Sequence, residues 1–126
     1  MRAALNDHSL IYLQIAQMLE DDILRGVYRE EEQVPSTNEL ARAISINPAT
    51  AGKGINLLVS DGILYKKRGL GMFVGEGAKK IILTKRQKAF YDNFIRPTVR
   101  EGLSLALSAE DIMTMVKNAM EEGAHE

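Results

Sequence analysis

Apolar residues in the stretch SLIYLQIAQMLEDDILRGVY recur at helical spacing: Tyr12, Ile15, Ala16, Leu19 and Ile23 fall at i, i+3, i+4, i+7 and i+11, with Met18 on the flank. That spacing predicts a helix with one buried face. Ser9 is placed to cap its start and Gly26 its end. In the next stretch, REEEQVPSTNELARAI, Pro35 closes an extended approach and Ser36 is followed three residues on by Glu39, the signature of a capping box. The short helix it opens should bury Leu40, Ala41 and Ile44. A tight turn at Ser45 and Ile46 then leads to Asn47, a good N-cap, with Pro48 at the first helical position, where its missing N–H costs nothing. Ala51, Ile55, Leu58 and Val59 form the buried stripe of this third helix, and Asp61-Gly62 ends it.

The pattern then changes. ILYKK and MFV are short runs rich in β-branched and aromatic residues, and the glycines of RGLG between them allow a hairpin turn. GEGA reads as a linker, so a first domain is expected over residues 1–77 and a helical tail over 78–126. In the tail, Thr84 with Gln87 suggests another capping box. Phe90, Tyr91, Phe94, Ile95 and Val99 lie on one side of the helix that follows, and Pro97 should interrupt and kink it. Ser108 with Asp111 opens a last helix striped by Ile112, Met115, Val116, Ala119 and Met120. The predicted fold class is mainly α with a small β-hairpin. The tail's two apolar stripes exceed what one small core covers, which favours a second copy of the chain over a fold-back within one copy.

At 126 residues the chain holds about one ordinary domain, or a small domain with an appendage. Hydrophobic residues at 45% against 26% charged exclude a disordered tail. The absence of cysteine excludes disulfides and thiolate metal sites. His8 and His125 stand at opposite ends, and the adjacent Asp21 and Asp22 diverge on a helix and read as a solvated face, so no metal and no cofactor are expected. No apolar run reaches a membrane span and the N-terminus lacks a signal layout, so the expectation is a cytoplasmic protein with no membrane partner.

A net charge of −1 hides an uneven distribution. Residues 1–46 carry four Lys and Arg against eight Asp and Glu, residues 47–100 eleven against three, and residues 101–126 one against six. Eleven minus three leaves the middle at +8, which suits a local anion-binding surface between acidic flanks.

Two helices joined by a tight turn form a helix-turn-helix, whose second helix can enter a DNA major groove N-terminus first. Here that helix begins Asn47-Pro48-Ala49-Thr50. Asn47 and Thr50 can donate and accept hydrogen bonds, Pro48 and Ala49 can touch a thymine methyl, and the helix N-terminus offers N–H groups to phosphate. Lys53 and Asn56 continue the outward face. Ser36 and Thr37 suit a backbone phosphate, and Lys66, Lys67 and Arg68 place cations beside a glycine tip that can reach an adjacent groove. GLGMFVGEG is not a nucleotide-phosphate loop, because a strand rather than a helix follows it. No nucleophile and base stand together, so an enzyme is not expected. A winged-helix docking adaptor is the alternative, although it has no need for so basic a middle.

These motifs carry a resemblance. The run from Ile11 to Val74, with VPSTNELA, INPAT and DGILYKKRGLGMFV as its most specific parts, resembles the winged helix-turn-helix domain of GntR-family transcription regulators. The short helical tail is similar to that of the YtrA-like subfamily, whose tails dimerise. The resemblance implies a homodimeric repressor on an inverted-repeat double-stranded DNA operator, with DNA contacts from Ser36, Thr37, Asn38, Asn47, Pro48, Ala49, Thr50, Lys53, Lys67, Arg68 and Gly69. It likewise implies dimerisation through the two-helix tail, whose stripes are Phe90, Tyr91, Phe94, Ile95, Val99, Ile112, Met115, Val116 and Met120. Four positions depart from the family pattern: Asn38 and Gly52-Lys53 stand where arginines are common, and Ser45 where a glycine is common. Fewer arginines shift the expected readout toward A·T methyls and DNA shape. Gly52 is expected to let DNA backbone approach, and Gly54 to let a neighbouring helix pack closely. A small-molecule effector in a cleft near Tyr91, Phe94 and Arg96 is left open beside the plainer reading of those residues as core.

Overall fold

The computed structural model of the chain describes residues 10–124; Ser9, His8 and His125 lie outside them. Helix α1 (Ile11–Leu24) buries Ile15, Ala16, Leu19 and Ile23 of the stripe read from spacing and leaves its first member, Tyr12, half-buried. At its end Val27 N donates to Asp22 O at 2.8 Å and Gly26 N to Ile23 O at 3.1 Å, a Schellman cap with Gly26 at the left-handed position. Asp22 departs from the solvated face expected of it: it is 4% exposed and its carboxylate meets the Arg25 guanidinium at 2.8 Å. Position 22 lies three residues beyond Leu19 and turns inward with the stripe, and Arg25 supplies the countercharge one turn on.

Helix α2 (Thr37–Ala43) opens on the expected box, with Glu39 N donating to Ser36 Oγ at 3.1 Å and Ser36 N to Glu39 Oε1 at 2.9 Å. It ends in a second Schellman cap, whose left-handed residue is Ser45 at φ +54°. A side chain is disfavoured at such a φ, which accounts for the glycine common there in the family pattern. Helix α3 (Pro48–Ser60) is capped by Asn47 and buries Ala51, Gly54, Ile55 and Leu58. Gly54 sits on α1: a Cβ there would fall 2.8 Å from the Tyr12 carbonyl oxygen and 3.2 Å from Ile15 Cβ. The close helix packing expected of Gly54 is what the geometry contains.

Strands β1 (Leu64–Lys67) and β2 (Gly71–Val74) pair antiparallel, with Leu64 opposite Val74 and Lys67 opposite Gly71. Periodicity did not reveal that the segment before Pro35 lies along the other edge of β2. Glu31 N donates to Val74 O at 2.8 Å, Val74 N to Glu32 O at 2.9 Å, and Val34 N to Met72 O at 2.9 Å. The wing strand is thus paired on both sides.

Helix α4 runs Ala78–Phe90, so Thr84 lies inside it and the capping box expected at Thr84 and Gln87 does not form. Burial decides the outcome. Ala78 and Ile82 are fully buried in the same core as α1, α2 and α3. Burying one isoleucine is worth about 1.5–3 kcal/mol, against about 1 kcal/mol for a cap. The chain divides into two compact units between Thr84 and Lys85, so the first unit takes in the start of α4 beyond the boundary expected at residue 77.

In the second unit a π-helical turn (Tyr91–Ile95) leads into α5 (Arg96–Ser104), then α6 (Ala109–Gly123). Pro97 is the second residue of α5, and the expected interruption takes the form of the wide turn before it, where Arg96 N donates to Tyr91 O, five residues back. The Ser108–Asp111 box forms as expected, with bonds of 3.0 and 2.9 Å. Gly102 lets α5 and α6 meet, because a Cβ there would fall 2.7 Å from Ile112 Cδ1. The other apolar residues of the two stripes stay exposed, from Ile95 at 37% to Met120 at 70%.

Candidate nucleic-acid interface

The start of α3 stands out from the first unit. Asn47, Pro48 and Ala49 are exposed and Thr50 is half-buried. Asn47 Oδ1 accepts from Ala49 N at 2.8 Å, and Asn47 O accepts from Thr50 N at 3.0 Å. This corrects one expectation: the first amides of α3 are occupied by the cap, so contacts from this end come from side chains, with the Asn47 amide NH₂ and the Thr50 hydroxyl as its donors. Ser36 Oγ likewise accepts its cap bond from Glu39 N. Glu39 is held below the ordinary carboxylate range, chiefly by the Ser36 backbone N–H and then by its side chain.

Thr37 rests on α3. A Cβ on Gly52 would lie 3.4 Å from Thr37 Cγ2, so the open side of Gly52 faces Thr37. Asn38 and Pro48, on different helices, line one recess of 420 Å³ together with Ala41, Arg42 and Ile46. Arg42 is the cation the sequence reading missed; its signal was its place one turn beyond Asn38 on the exposed side of α2. The Lys53 ammonium sits 4.2 Å over the Tyr12 ring, which stacks it on α1.

On the wing, Lys66, Arg68 and Gly69 are exposed, while the Lys67 ammonium lies 4.3 Å over the Phe73 ring and 5.8 Å from that of Tyr65. Tyr65 donates its hydroxyl to Glu31, and this bond is the main reason its pKa is raised. Gln33, absent from the candidates read from sequence, donates from Nε2 to the Leu70 carbonyl at the tip, at 2.7 Å. The cations of the middle segment do not all fall at this site. Of the middle segment's eleven cations, four belong to α3 and the wing: Lys53, Lys66, Lys67 and Arg68. Lys85, Arg86, Lys88, Arg96 and Arg100 fall in the second unit, where Asp92 takes Lys88 at 2.6 Å and Arg96 at 3.6 Å.

The second unit contains an apolar groove of 510 Å³ between α5 and α6, lined by Phe94, Pro97, Leu107, Ile112 and Met115 among others, with Asn93, Thr98 and Glu101 as its polar members. Of the residues expected at an effector cleft, Phe94 lines it, whereas Tyr91 and Arg96 do not. Among the described residues no group of acids could hold a metal ion, and no helix is long and apolar enough to cross a membrane.

Three helices, a capped turn and a basic hairpin in this order make a winged helix-turn-helix. Residues 11–74 match the model of bacterial regulatory proteins of the gntR family. The chain belongs to that family, a family of regulators rather than enzymes. It is 36% identical over 73 residues to the transcriptional repressor YtrA of Bacillus subtilis, covering 58% of this chain and 56% of that one. A solved GntR-family transcriptional regulator from Bacteroides thetaiotaomicron is 35% identical with a TM-score of 0.77, covering 90% of this chain and 98% of that one. The DNA-binding domain of AraR, solved with its operator, is 30% identical with a TM-score of 0.51, over 60% of this chain and 92% of that one. The chain spans 28% of the length of one curated repressor it matches and 56% of the length of the YtrA of Bacillus subtilis.

Proposed function

We propose that the chain is a sequence-specific DNA-binding transcription repressor of the bacterial cytoplasm, acting as a homodimer on an inverted-repeat operator. The observation that carries this reading is the start of α3: short side chains from Asn47 to Thr50, capped by Asn47, exposed up to Ala49 and half-buried at Thr50, with Asn38 and Arg42 across one recess from Pro48. In this reading Asn47, Pro48, Ala49 and Thr50 meet base edges, with Lys53 behind them. Ser36, Thr37 and Asn38 hold a phosphate, and Lys67, Arg68 and Gly69 reach the flanking backbone or minor groove. The names of YtrA and AraR's operator complex support it as likenesses.

The tail supplies the second copy. Phe90, Tyr91, Phe94, Ile95, Val99, Met115, Val116 and Met120 leave more apolar surface in water than a stable monomer keeps, and Ile112 joins them at the α5–α6 contact. A two-fold dimer through this surface would bring two recognition helices to one operator. The groove between α5 and α6 is where a small effector would enter, and a volume of 510 Å³ falls in the range of small-molecule sites.

The test is titration of the protein into labelled duplexes from its own promoter region at increasing salt. Affinity should fall linearly with salt on logarithmic axes, as counterion release requires. No binding at low salt to any of these duplexes refutes the reading.

A further inference from the structure

We infer that Gln33 is the positioning residue of the wing: it sets the tip that presents Arg68 and Gly69, and ties that tip to the approach into α2. The inference rests on the reading of the wing as a DNA contact. Gln33 lies in the extended segment paired to β2, bridged to Phe73 and flanked by the bonds from Glu31 to Val74 and from Val34 to Met72. Its side chain runs along the hairpin, and Nε2 donates to the Leu70 carbonyl at 2.7 Å, across 37 positions of sequence.

The tip itself is a tight turn, closed by Leu70 N on Lys67 O at 2.9 Å with Gly69 at φ +79°. A turn of this kind at a hairpin end has few other restraints, since Arg68, Gly69 and Leu70 are all exposed. Gly71 completes the lock. Its φ is +124°, and any Cβ there would fall 2.6 Å from Gln33 Nε2, so the glycine both permits the turn and leaves the room the amide needs. Two residues after Gln33, Pro35 leads straight into the Ser36 cap. One side chain therefore holds the wing tip to the strand that delivers the start of α2, and these are the two elements proposed to straddle DNA backbone. Arg68 can make its contact without being ordered afresh at binding, which is how a positioning residue adds to affinity.

The experiment uses the full chain and a duplex that the wild-type protein selects from a randomised pool, with binding followed by anisotropy. Gln33→Ala should weaken binding about fivefold, the effect of losing one modest hydrogen bond. Arg68→Ala should weaken it too, and in the Arg68→Ala background the Gln33 change should cost almost nothing, since its effect passes through Arg68. Amide exchange at Leu70 should quicken in Gln33→Ala while thermal stability holds. Equal Gln33 effects with and without Arg68, or unchanged exchange at the tip, would overturn the inference. Failure of the wild type to select any duplex overturns the DNA reading instead, and the exchange measurement then still decides whether Gln33 holds the tip.

Discussion

Gly52 and Gly54 stand two residues apart in one helix, and replacing each with alanine should move stability in opposite directions. The intrinsic gain is the same for both, about 1 kcal/mol for alanine over glycine inside a helix. The surroundings differ. At position 54 the new methyl would come 2.8 Å from the Tyr12 carbonyl oxygen and 3.0 Å from Ile15 Cγ2. The nearer obstacle is α1 backbone, which cannot rotate aside as a side chain can. Overpacking of this kind costs about 1–3 kcal/mol, with the upper part of the range fitting a backbone obstacle, so Gly54→Ala should lose about 1–2 kcal/mol net. At position 52 the first atom met is Thr37 Cγ2 at 3.4 Å, an ordinary contact, so Gly52→Ala should keep most of the helical gain.

Thermal melts of the full chain read both changes. At about 4–8 °C per kcal/mol for a domain of this size, Gly54→Ala should melt well below the wild type and Gly52→Ala several degrees above it. A Gly54→Ala protein as stable as the wild type would refute the account of the α1–α3 packing. Operator affinity of Gly52→Ala separates two roles for that glycine. With its open side turned to Thr37, affinity should survive; a loss of affinity in a more stable protein would restore the expectation that DNA backbone approaches Gly52.

Three further outcomes follow from the same structure. Thr50→Ala should change preference at particular base pairs, whereas Lys67→Ala should weaken binding similarly on all sequences and lower the salt slope by about 1; equal losses from both across a panel of duplexes would undo the assignment of roles. Phe94→Asp, on the exposed tail face, should yield a monomer by sedimentation and lose operator affinity with it, and a dimer that persists would move the interface elsewhere. Glu39 and Asp111, both lowered chiefly by the backbone N–H of the serine they cap, contribute stability that is present above their unfolded pKa and lost as pH falls through the lowered folded value. Denaturant melts across the acid range should accordingly flatten in the Glu39→Gln, Asp111→Asn double variant, and an unaltered pH dependence would show that the boxes do not matter to it.

The features legible in sequence were those whose cause is local. Ser36 with Glu39, Asn47 with Pro48, and Ser108 with Asp111 each place donor and acceptor within three residues, and all three caps form as read. The stripes of α1 and α3 were legible because a helix repeats its buried face regularly. Thr84 carried the same local signal and was overruled, because Ile82 is buried in a core assembled from segments far away in sequence. The π-helical turn was foreshadowed by Pro97, but a proline signals only that the ladder must break; the form of the break depends on how neighbouring carbonyls find other donors.

The candidate site divides along the same line. The start of α3 was legible because caps and short side chains are local. Gln33 was not, since an amide aimed at a carbonyl 37 residues away leaves no periodic trace. Charge was legible as a sum and misleading as a map. The +8 of residues 47–100 counts cations of α4 and α5 together with those of the wing, and Lys53 and Lys67 lie over aromatic rings rather than reaching straight into solvent. Lys66 and Arg68 on the wing and Arg42 on α2 are what remain as freely exposed cations beside the start of α3. A surface with so few cations gains little from non-specific attraction to phosphate. On the proposed reading, binding would rest on the fit of Asn47 to Thr50 and on a wing held in place, so the hold of Gln33 on the tip would count for more than non-specific attraction.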